Sequence, residues 1–415
     1  MTRRLLFLSP QPPWPLVSGS TIRNYHLLRQ LADRGWRISL FSLVRDGIPV
    51  AERLPQLEAI CEAVRMEPFA VARPVQLARV AVDVVTQSAY HRHFYWSDQA
   101  AQGLHDFMRA ASYDAVLFGI LPTFSYVPRE FYARTVFDSH NAEFLRLGTM
   151  SASQPLLSRG LVARVQRRTV RRYEADVVRS VAATLAVSEE ERRYFDELAP
   201  GRVRLAPNGV DVEGLRPRGG LPGEPRFLFM GSLSYSANLD ALKYLVSDIL
   251  PKLKRRDALL TIVGSRPPAS VAAIAQRSPI ATHLAGFVPE TRPYVEANRF
   301  LVVPLRVGGG TRIKILDALA QGLPVITTTV GCAGLKVEHL RDVVVADDPA
   351  DFARWIDRLL EDDELAGRLA ERGRQTVERH YGWKDIGAKV HEALVETSER
   401  GVLLPPTNAV ETASR

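Results

Sequence analysis

The chain has 415 residues, of which 46% are apolar and 24% are charged, and its formal net charge at pH 7 is +8. This length exceeds what one hydrophobic core usually supports, so we expect two domains of ordinary globular composition. The two cysteines, Cys61 and Cys332, are far apart in sequence, which argues against a disulfide framework and fits a reducing compartment. No apolar run approaches the roughly 20 residues that a membrane-spanning helix needs.

The N-terminal segment predicts a βαβ unit. Its opening apolar run is too short for a signal sequence, so we interpret residues 5–9 as a strand. A Pro-rich loop then leads into a helix with Ile22, Tyr25 and Leu28 on one face, and residues 36–43 form the next strand. Gly19, in the loop, follows the carboxyl end of the first strand, where open α/β sheets bind ligands. A simple turn at Gly19 is the alternative interpretation.

Two further strands are predicted at residues 114–119 and 135–138. The second ends in Asp138, and His140 and Asn141 follow it directly. Because polar residues at the carboxyl end of an α/β strand face the ligand crevice, we expect all three side chains to point into it. His140 is therefore a candidate functional residue, with a hydrogen-bonded structural histidine as the alternative.

Positive charge is concentrated in the first half of the chain, since residues 1–210 contain 27 Arg, no Lys and 20 acidic residues. Apolar residues at helical spacing over 157–177 predict an amphipathic helix. Its other face carries seven arginines, namely Arg159, Arg164, Arg167, Arg168, Arg171, Arg172 and Arg179. This face is either solvated, or a surface for anionic lipid headgroups, or a surface for an anionic substrate. Nucleic acid is disfavoured as a ligand, because no interleaved aromatic residues accompany the arginines.

The alternation of strands and helices continues from residue 184 and restarts after residue 225. Residues 184–187 form a strand, and Ser188 and Glu191 predict a capping box for the helix that follows. Residues 213–225 contain three Pro and four Gly, which predicts a linker between two domains. Strands at 227–231 and 259–264 open a second doubly wound sheet.

The most informative stretch is 300–326, where an apolar strand runs through three glycines into a helix, Gly322 supplies a left-handed stop, and another strand follows. The predicted buried face of this helix consists of Ile313, Leu316, Leu319 and Ala320. Helix N-termini favour acids, yet this one begins with Arg312 and Lys314. Two cations beside free backbone N–H groups predict binding of a polyanion such as a diphosphate. A flexible loop with solvated basic residues is the alternative.

This stretch resembles the donor-site signature of retaining GT-B glycosyltransferases of family 4, also called group 1, in the branch with a Gly-Gly-Gly-Thr-Arg-x-Lys loop. Asp317 matches the second of two acids in that signature, and Gly309 stands where the first is usual. Residues 138–141, 207–211, 231–238 and 286–288 are also similar to family segments. The resemblance implies an α/β fold of two doubly wound, Rossmann-like domains that face a central cleft. The acceptor-side domain is expected at 1–212 and the donor domain at 226–380. A helix at 381–400 is expected to cross back to the first domain, before a disordered tail at 401–415.

The resemblance further implies a retaining glycosyltransferase that moves a sugar from a nucleotide-diphospho-sugar to a glycan or lipid-linked acceptor, in bacterial cell-surface polysaccharide synthesis. Its implied catalytic residues are His140, Gly19, Arg312 and Lys314. Its implied donor-binding residues are Gly231, Val288, Gly309, Gly310, Thr311, Arg312, Ile313, Lys314 and Asp317. We expect no metal and no cofactor, and a cytoplasmic location with peripheral contact to anionic membrane through the helix between Arg159 and Arg179. The alternatives are a nucleotide-sugar epimerase on the same fold and a catalytically inactive sugar-nucleotide-binding subunit, the latter motivated by Gly309.

Overall fold

The computed structural model describes residues 2–16, 18–45, 54–69, 96–153, 158–265, 268–307 and 312–402, together with the single residues 75, 78 and 82. The chain separates into two compact units. Unit 1 comprises residues Met1–Ala206 and Gly387–Arg415, and unit 2 comprises Pro207–Ile386. The predicted tail at 401–415 lies outside the described residues from 403 onward.

Unit 1 is built on a parallel sheet whose described strands have the order β3-β2-β1-β4-β5-β6-β7. The strands are β1 Arg4–Ser9, β2 Arg37–Arg45, β3 Ala63–Phe69, β4 Ala115–Gly119, β5 Thr135–Asp138, β6 Ala183–Ala186 and β7 Val203–Leu205. The helices are α1 Gly19–Ala32, α2 Leu54–Glu58, α3 Asp98–Met108, α4 Glu143–Ser153, α5 Ser158–Ser180 and α6 Glu189–Leu198, with short 3₁₀ turns at Leu121–Tyr126 and Arg129–Arg134. The strand order reverses between β1 and β4, so the loops after these two strands flank the position where doubly wound sheets bind ligands.

Unit 2 repeats this design with a parallel sheet of order β10-β9-β8-β11-β12-β13 among its described residues. The strands are β8 Arg226–Met230, β9 Leu259–Val263, β10 Ala281–Gly286, β11 Leu301–Val303, β12 Val325–Thr327 and β13 Val344–Val345. The helices are α7 Ser236–Tyr244, α8 Ala269–Gln276, α9 Arg292–Ala297, α10 Ile313–Ala320, α11 Pro349–Glu361 and α12 Asp363–His380, and α7 continues through a π turn at Leu245–Ile249 and a 3₁₀ turn at Leu250–Lys252. The order reverses between β8 and β11, which places the loops before α7 and α10 at the switch point.

Helix α10 follows the apolar pattern of its sequence with one exception. Leu316, Leu319 and Ala320 are fully buried as predicted, and Gly322 has the left-handed φ of +67° that ends the helix. The prediction that Ile313 is buried is wrong, because the first turn of the helix leaves it only half-buried and Ile315 occupies the core instead.

The last helix, α13 Trp383–Val402, begins in unit 2 and belongs to unit 1 from Gly387 onward. Within unit 1, Trp36 Nε1 donates a hydrogen bond to His391 Nδ1 at 3.0 Å. Arg3 pairs with Glu399 at 2.8 Å, and Arg204 pairs with Glu396. A Cβ at Gly387 would meet the side chain of Gln30, so α13 packs closely against α1.

The segment 213–225 belongs to unit 2, and arginines of unit 2 hold several of its backbone carbonyls. Arg299 Nη1 donates to the carbonyl of Pro222 at 2.8 Å. Arg374 Nη1 donates to the carbonyl of Leu215 at 2.6 Å, and Arg292 Nη2 donates to that of Pro217 at 3.1 Å. A Pro- and Gly-rich segment thus gains hydrogen-bonding partners that its own sequence cannot supply.

Candidate functional site

Gly231 ends strand β8 at the switch point of unit 2, and its lack of a side chain is required there. Its φ of +152° is a conformation that residues with a Cβ rarely adopt. A Cβ at Gly231 would lie 2.6 Å from Lys314 Nζ and 2.8 Å from Asn238 Nδ2. The glycine therefore lets a lysine from α10 and an asparagine from α7 approach the backbone at the end of β8.

Lys314 lies in the first turn of α10, where it is held by α7. Its Nζ donates a hydrogen bond to Asn238 Oδ1 at 2.7 Å, and Asn238 Nδ2 in turn donates to the carbonyl of Ser232 at 2.8 Å. Burial and, to a smaller extent, the neighbouring charge of Arg312 together lower the pKa of Lys314 to about 7. Near neutral pH a fraction of Lys314 is therefore uncharged, and a bound anion would favour its protonated form.

Arg312 is the N-cap residue of α10, and its side chain makes no capping hydrogen bond to the helix. Its side chain is 8% exposed, and burial lowers its pKa, while Tyr235 acts in the opposite direction. Arg312 and Lys314 thus place two partly desolvated cations at the electropositive end of a helix. This arrangement suits an anion with two phosphate groups, which would bind the cations and the free N–H groups of the helix.

Asp317 lies one turn further along α10 and is half-buried. Burial and, to a smaller extent, the negative charge of Asp211 together raise its pKa to about 7. A carboxyl group with this pKa can both accept and donate a hydrogen bond near neutral pH, which suits contact with hydroxyl groups.

Only some of the remaining predicted donor-binding residues lie among the described residues. Ile313 and Val288 are half-buried, and Val288 packs against the core of unit 2 just after β10. Gly309, Gly310 and Thr311 lie outside the described residues. The described part of unit 2 therefore brings together Gly231, Lys314 and Arg312 of the predicted set.

His140 follows β5 in unit 1, and its environment depends on a buried ion pair. Its side chain is 8% exposed, and its Nε2 lies 3.3 Å from Asp138 Oδ2. Among the described residues, no hydrogen-bond partner is found for either ring nitrogen of His140, and Nδ1, unlike Nε2, also has no carboxylate within ion-pair distance. Buried polar atoms rarely lack partners, so Nδ1 is the atom through which His140 would contact a ligand.

The expectation that Asp138 points into a crevice is wrong. Asp138 is 1% exposed, and Arg23 of α1 donates to its Oδ2 from Nε at 2.8 Å and to its Oδ1 from Nη2 at 2.5 Å. Burial alone would raise the pKa of Asp138, but Arg23 and then His140 hold it well below its usual range. Asp138 is therefore an ionised anchor for His140, and Arg23 compensates its charge.

Gly119, at the end of β4, was not identified from the sequence as a site residue. A Cβ at this position would lie 2.9 Å from His140 Nε2. The next residue, Ile120, has a φ of +60°, which is strained for a β-branched side chain. The Thr123 hydroxyl lies 2.5 Å from the carbonyl of Gly119 and 2.9 Å from that of Ile120, which stabilises this sharp turn beside the histidine.

Two buried carboxylates fix the backbone just after His140, at the start of α4. Glu174 Oε1 accepts from the amide of Glu143 at 2.6 Å, and Glu191 Oε1 accepts from that of Ala142 at 3.0 Å. Burial raises the pKa of Glu174 to about 8 and that of Glu191 to about 7. The predicted capping box at Ser188 is thus only half-formed, because Ser188 accepts from the Glu191 amide while the Glu191 carboxylate turns to α4.

Gly19 is the exposed first residue of α1, after the Pro-rich loop that follows β1. The N-cap is Ser18, which forms a capping box with Thr21 in which both backbone amides find side-chain oxygens. Gly19 lies after the carboxyl end of β1, and no contact among the described residues links it to His140.

Three other properties of the described chain bear on the site. No group of three or more His, Cys, Asp and Glu side chains in it is arranged to hold a metal ion. Each described helix falls short of the length and apolarity needed to cross a bilayer. Cys61 and Cys332 are both free thiols.

Two family models match the chain. Residues 17–213 match the model described as "Glycosyltransferase Family 4", and residues 224–362 match the model described as "Glycosyl transferases group 1". These two matches correspond to the two units described above.

Curated relatives match between about a third and about half of the chain. A D-inositol 3-phosphate glycosyltransferase of Streptomyces bingchenggensis is 28% identical over 254 residues, which cover 54% of each protein. A phosphatidyl-myo-inositol mannosyltransferase of Mycobacterium tuberculosis is 27% identical over 227 residues, covering 51% of this chain and 58% of the relative. An uncharacterised 44.6 kDa protein in the cps region of Klebsiella pneumoniae is 26% identical over 137 residues, covering 31% of this chain and 35% of the relative. The chain thus spans about half the length, or less, of the curated relatives it matches.

Solved structures match nearly the whole chain. Sucrose-phosphate synthase from Thermosynechococcus elongatus has a TM-score of 0.71 at 18% identity, over 95% of this chain and 98% of the other. HepE of Anabaena in complex with UDP-glucose has a TM-score of 0.67 at 13% identity, over 95% of this chain and 99% of the other. At these identities the likeness concerns the fold, and it confirms the predicted GT-B class of two Rossmann-like domains.

Proposed function

We propose that this protein, whose two domains belong to the family 4 and group 1 glycosyltransferase families, transfers a sugar from a nucleotide-diphospho-sugar to an acceptor. The observation that carries this proposal is the pair of partly desolvated cations, Arg312 and Lys314, at the start of α10 beside Gly231. Such a site binds a diphosphate through charge-assisted hydrogen bonds and helix N–H groups.

The same two cations support a reaction that needs no metal ion. As the sugar leaves, negative charge develops on the nucleoside diphosphate. Positioned cations and a helix N-terminus stabilise that charge in a partly buried site. Arg312 and Lys314 are the groups we assign to this role, and the family resemblance implies retention of the anomeric configuration.

Two further residues receive roles from the resemblance. Asp317 is assigned the ribose hydroxyls, for which its half-buried carboxyl with a pKa of about 7 is suited. His140 is assigned contact with the donor sugar, for which its Nδ1 is available among the described residues. Asp138 and Arg23 then orient the imidazole rather than touch the substrate.

The acceptor and the cellular role are drawn from the relatives. Two of them are named for transfer to inositol-containing acceptors, one of which is a phospholipid, and a third is encoded in a cps region. We accordingly propose a glycan or lipid-linked acceptor and a role in bacterial cell-surface polysaccharide synthesis. The proposed location is cytoplasmic, which the two free cysteines support.

The decisive experiment incubates the purified protein with a panel of nucleotide sugars, each with and without candidate acceptors, and analyses the products by chromatography coupled to mass spectrometry, because isomeric nucleotide sugars of equal mass must be separated before detection. Glycosyl transfer consumes the donor in an acceptor-dependent way. Consumption without an acceptor, giving an isomeric nucleotide sugar, would show an epimerase instead. Binding without any turnover across the panel would show an inactive subunit.

Binding variants test the diphosphate site separately from turnover. Arg312→Ala is expected to weaken nucleoside-diphosphate binding by roughly 1.5 to 3 kcal/mol, measured by calorimetric titration. Arg306→Ala is the matched control in the same unit, because the Arg306 guanidinium already pairs with Asp240 at 2.7 Å. Equal affinity in wild type and the Arg312 variant would exclude the diphosphate assignment.

A further inference from the structure

A second concave surface lies on unit 1, between helices α4, α5 and α6, and its cavity has a volume of about 840 Å³. The lining residues are Phe144, Arg167, Arg168, Arg171, Arg172, Ala175, Arg179, Glu197 and Leu198. We call this surface the arginine pocket. Five of its lining side chains are cationic and one is acidic, so its electrostatic character is strongly positive.

The charges in the arginine pocket are arranged unfavourably for folding. Arg167 and Arg171, and likewise Arg168 and Arg172, are separated by four residues on one helix, and like charges at this spacing repel. Among the described residues, no carboxylate forms an ion pair with any of these four arginines. Exposed arginines elsewhere do have such partners, as Arg368 does with Glu364. An anionic ligand would relieve this repulsion.

The pocket also has a rigid aromatic platform. The guanidinium of Arg167 lies 4.3 Å from the centroid of the Phe144 ring, and that of Arg171 lies 5.4 Å from it. The Phe144 ring also stacks on Tyr194 with the ring centroids 5.4 Å apart, and the Tyr194 hydroxyl donates to buried Glu174 at 2.7 Å. Two of the guanidinium groups are thereby positioned before any ligand arrives, which lowers the entropic cost of binding.

We propose that the arginine pocket binds the phosphate groups of anionic phospholipid headgroups and so docks unit 1 on a membrane surface. Guanidinium groups match phosphate oxygens in a bidentate geometry. The arginines between 167 and 179 extend along about 18 Å of helix, which is longer than one phosphate group and suits a surface of repeated phosphates. Phe144, Ala175 and Leu198 add apolar area among the charges.

This inference does not rest on the proposed glycosyl transfer, because the pocket lies in unit 1 and the donor-binding residues lie in unit 2. Loss of vesicle binding with retained nucleotide binding would concern the pocket alone. Loss of nucleotide turnover with retained vesicle binding would concern the enzyme alone.

The test is cosedimentation of the full chain with vesicles of phosphatidylglycerol and phosphatidylcholine, compared with vesicles of phosphatidylcholine alone. Wild type is expected to bind only the anionic vesicles, and its binding is expected to weaken as salt rises. The triple variant Arg168→Gln, Arg171→Gln and Arg172→Gln is expected to lower the partition coefficient by roughly 100-fold. Its thermal stability should not fall, since repulsion is removed.

The matched control carries the same change in net charge on unit 2, as Arg354→Gln, Arg358→Gln and Arg368→Gln. It is expected to bind anionic vesicles as wild type does. Equal loss in the control, or full binding by the pocket variant, would overturn the proposal.

A second experiment, without vesicles, distinguishes a lipid headgroup from a free phosphate compound as the ligand. Calorimetric titration with inorganic diphosphate uses the donor-site variant Arg312→Ala, so that the arginine pocket is the site observed. Pocket-dependent binding of diphosphate without any vesicle binding would replace the lipid headgroup by a free phosphate ligand, and would overturn the membrane assignment.

Discussion

The pKa of Lys314 leads to a prediction about donor affinity and pH. Burial and Arg312 lower this pKa to about 7, so the lysine is largely neutral at pH 8 to 9. A bound diphosphate favours the charged form and returns the pKa towards its ordinary value of about 10.4. Binding then requires proton uptake, and affinity must fall as pH rises between the two pKa values.

The size of the effect follows from the charged fraction of Lys314 in the free protein. With a pKa of about 7, this fraction falls roughly 25-fold between pH 7.5 and pH 9.0, which corresponds to about 1.9 kcal/mol of binding free energy. The phosphates of a nucleotide sugar do not titrate in this range, so the ligand charge on the diphosphate stays constant.

Calorimetric titration of a nucleotide sugar at several pH values measures this slope. Lys314→Met is the comparison variant, because it removes the titrating group and should bind weakly with a nearly flat pH profile. A flat profile in wild type, or the same slope in wild type and the Met variant, would refute the assignment of Lys314 to the diphosphate.

Three further predictions concern other residues of the two units. Asp317→Ala should weaken binding of whole nucleotides more than binding of inorganic diphosphate, and an equal loss for both ligands in calorimetry would mean that Asp317 only supports α10. Gly119→Ala should lower turnover at least tenfold while donor affinity stays unchanged, because the added Cβ would lie 2.9 Å from His140 Nε2 and would displace the imidazole. Unaltered turnover would contradict the role of the histidine. Arg23→Ala should cost about 3 to 5 kcal/mol of unfolding free energy in urea denaturation, because it leaves Asp138 buried without its cation, and a loss below 1 kcal/mol would contradict this account.

Local patterns in the sequence predicted the elements of the fold well. The apolar strand, the glycines and the helix period before Gly322 place β11, α10 and β12 close to their observed bounds. The same reasoning located Arg312 and Lys314 at a helix start, because the absence of acids there is a local signal. The predicted diphosphate itself remains a proposal.

The contacts that complete the site depend on residues distant in sequence. Arg23 and Asp138 are 115 positions apart, and Lys314 and Asn238 are 76 apart. Ile22 and Tyr25 of the apolar face predicted for α1 are only half-buried, whereas Arg23 is buried, and a single arginine in the sequence does not indicate a buried partner. From the sequence, Gly119 is likewise only the end of a strand, and its importance appears once the fold brings His140 beside it. Sequence periodicity identifies elements, whereas these pairings follow from strand order.

Unit 1 consists of two separate segments of the chain and unit 2 of one, so the two units differ in how well each could be expressed as a fragment. Unit 2 is one uninterrupted stretch, Pro207–Ile386, and its own arginines secure the segment that would otherwise fray at its start. A fragment of these residues should retain Lys314 and Asn238 in place. A fragment that ends at residue 212 would lack the C-terminal part of α13, and it would expose Trp36 and Gln30 of unit 1 to water. Unit 1 is thus completed only when translation reaches the last helix, after the whole of unit 2 has been made.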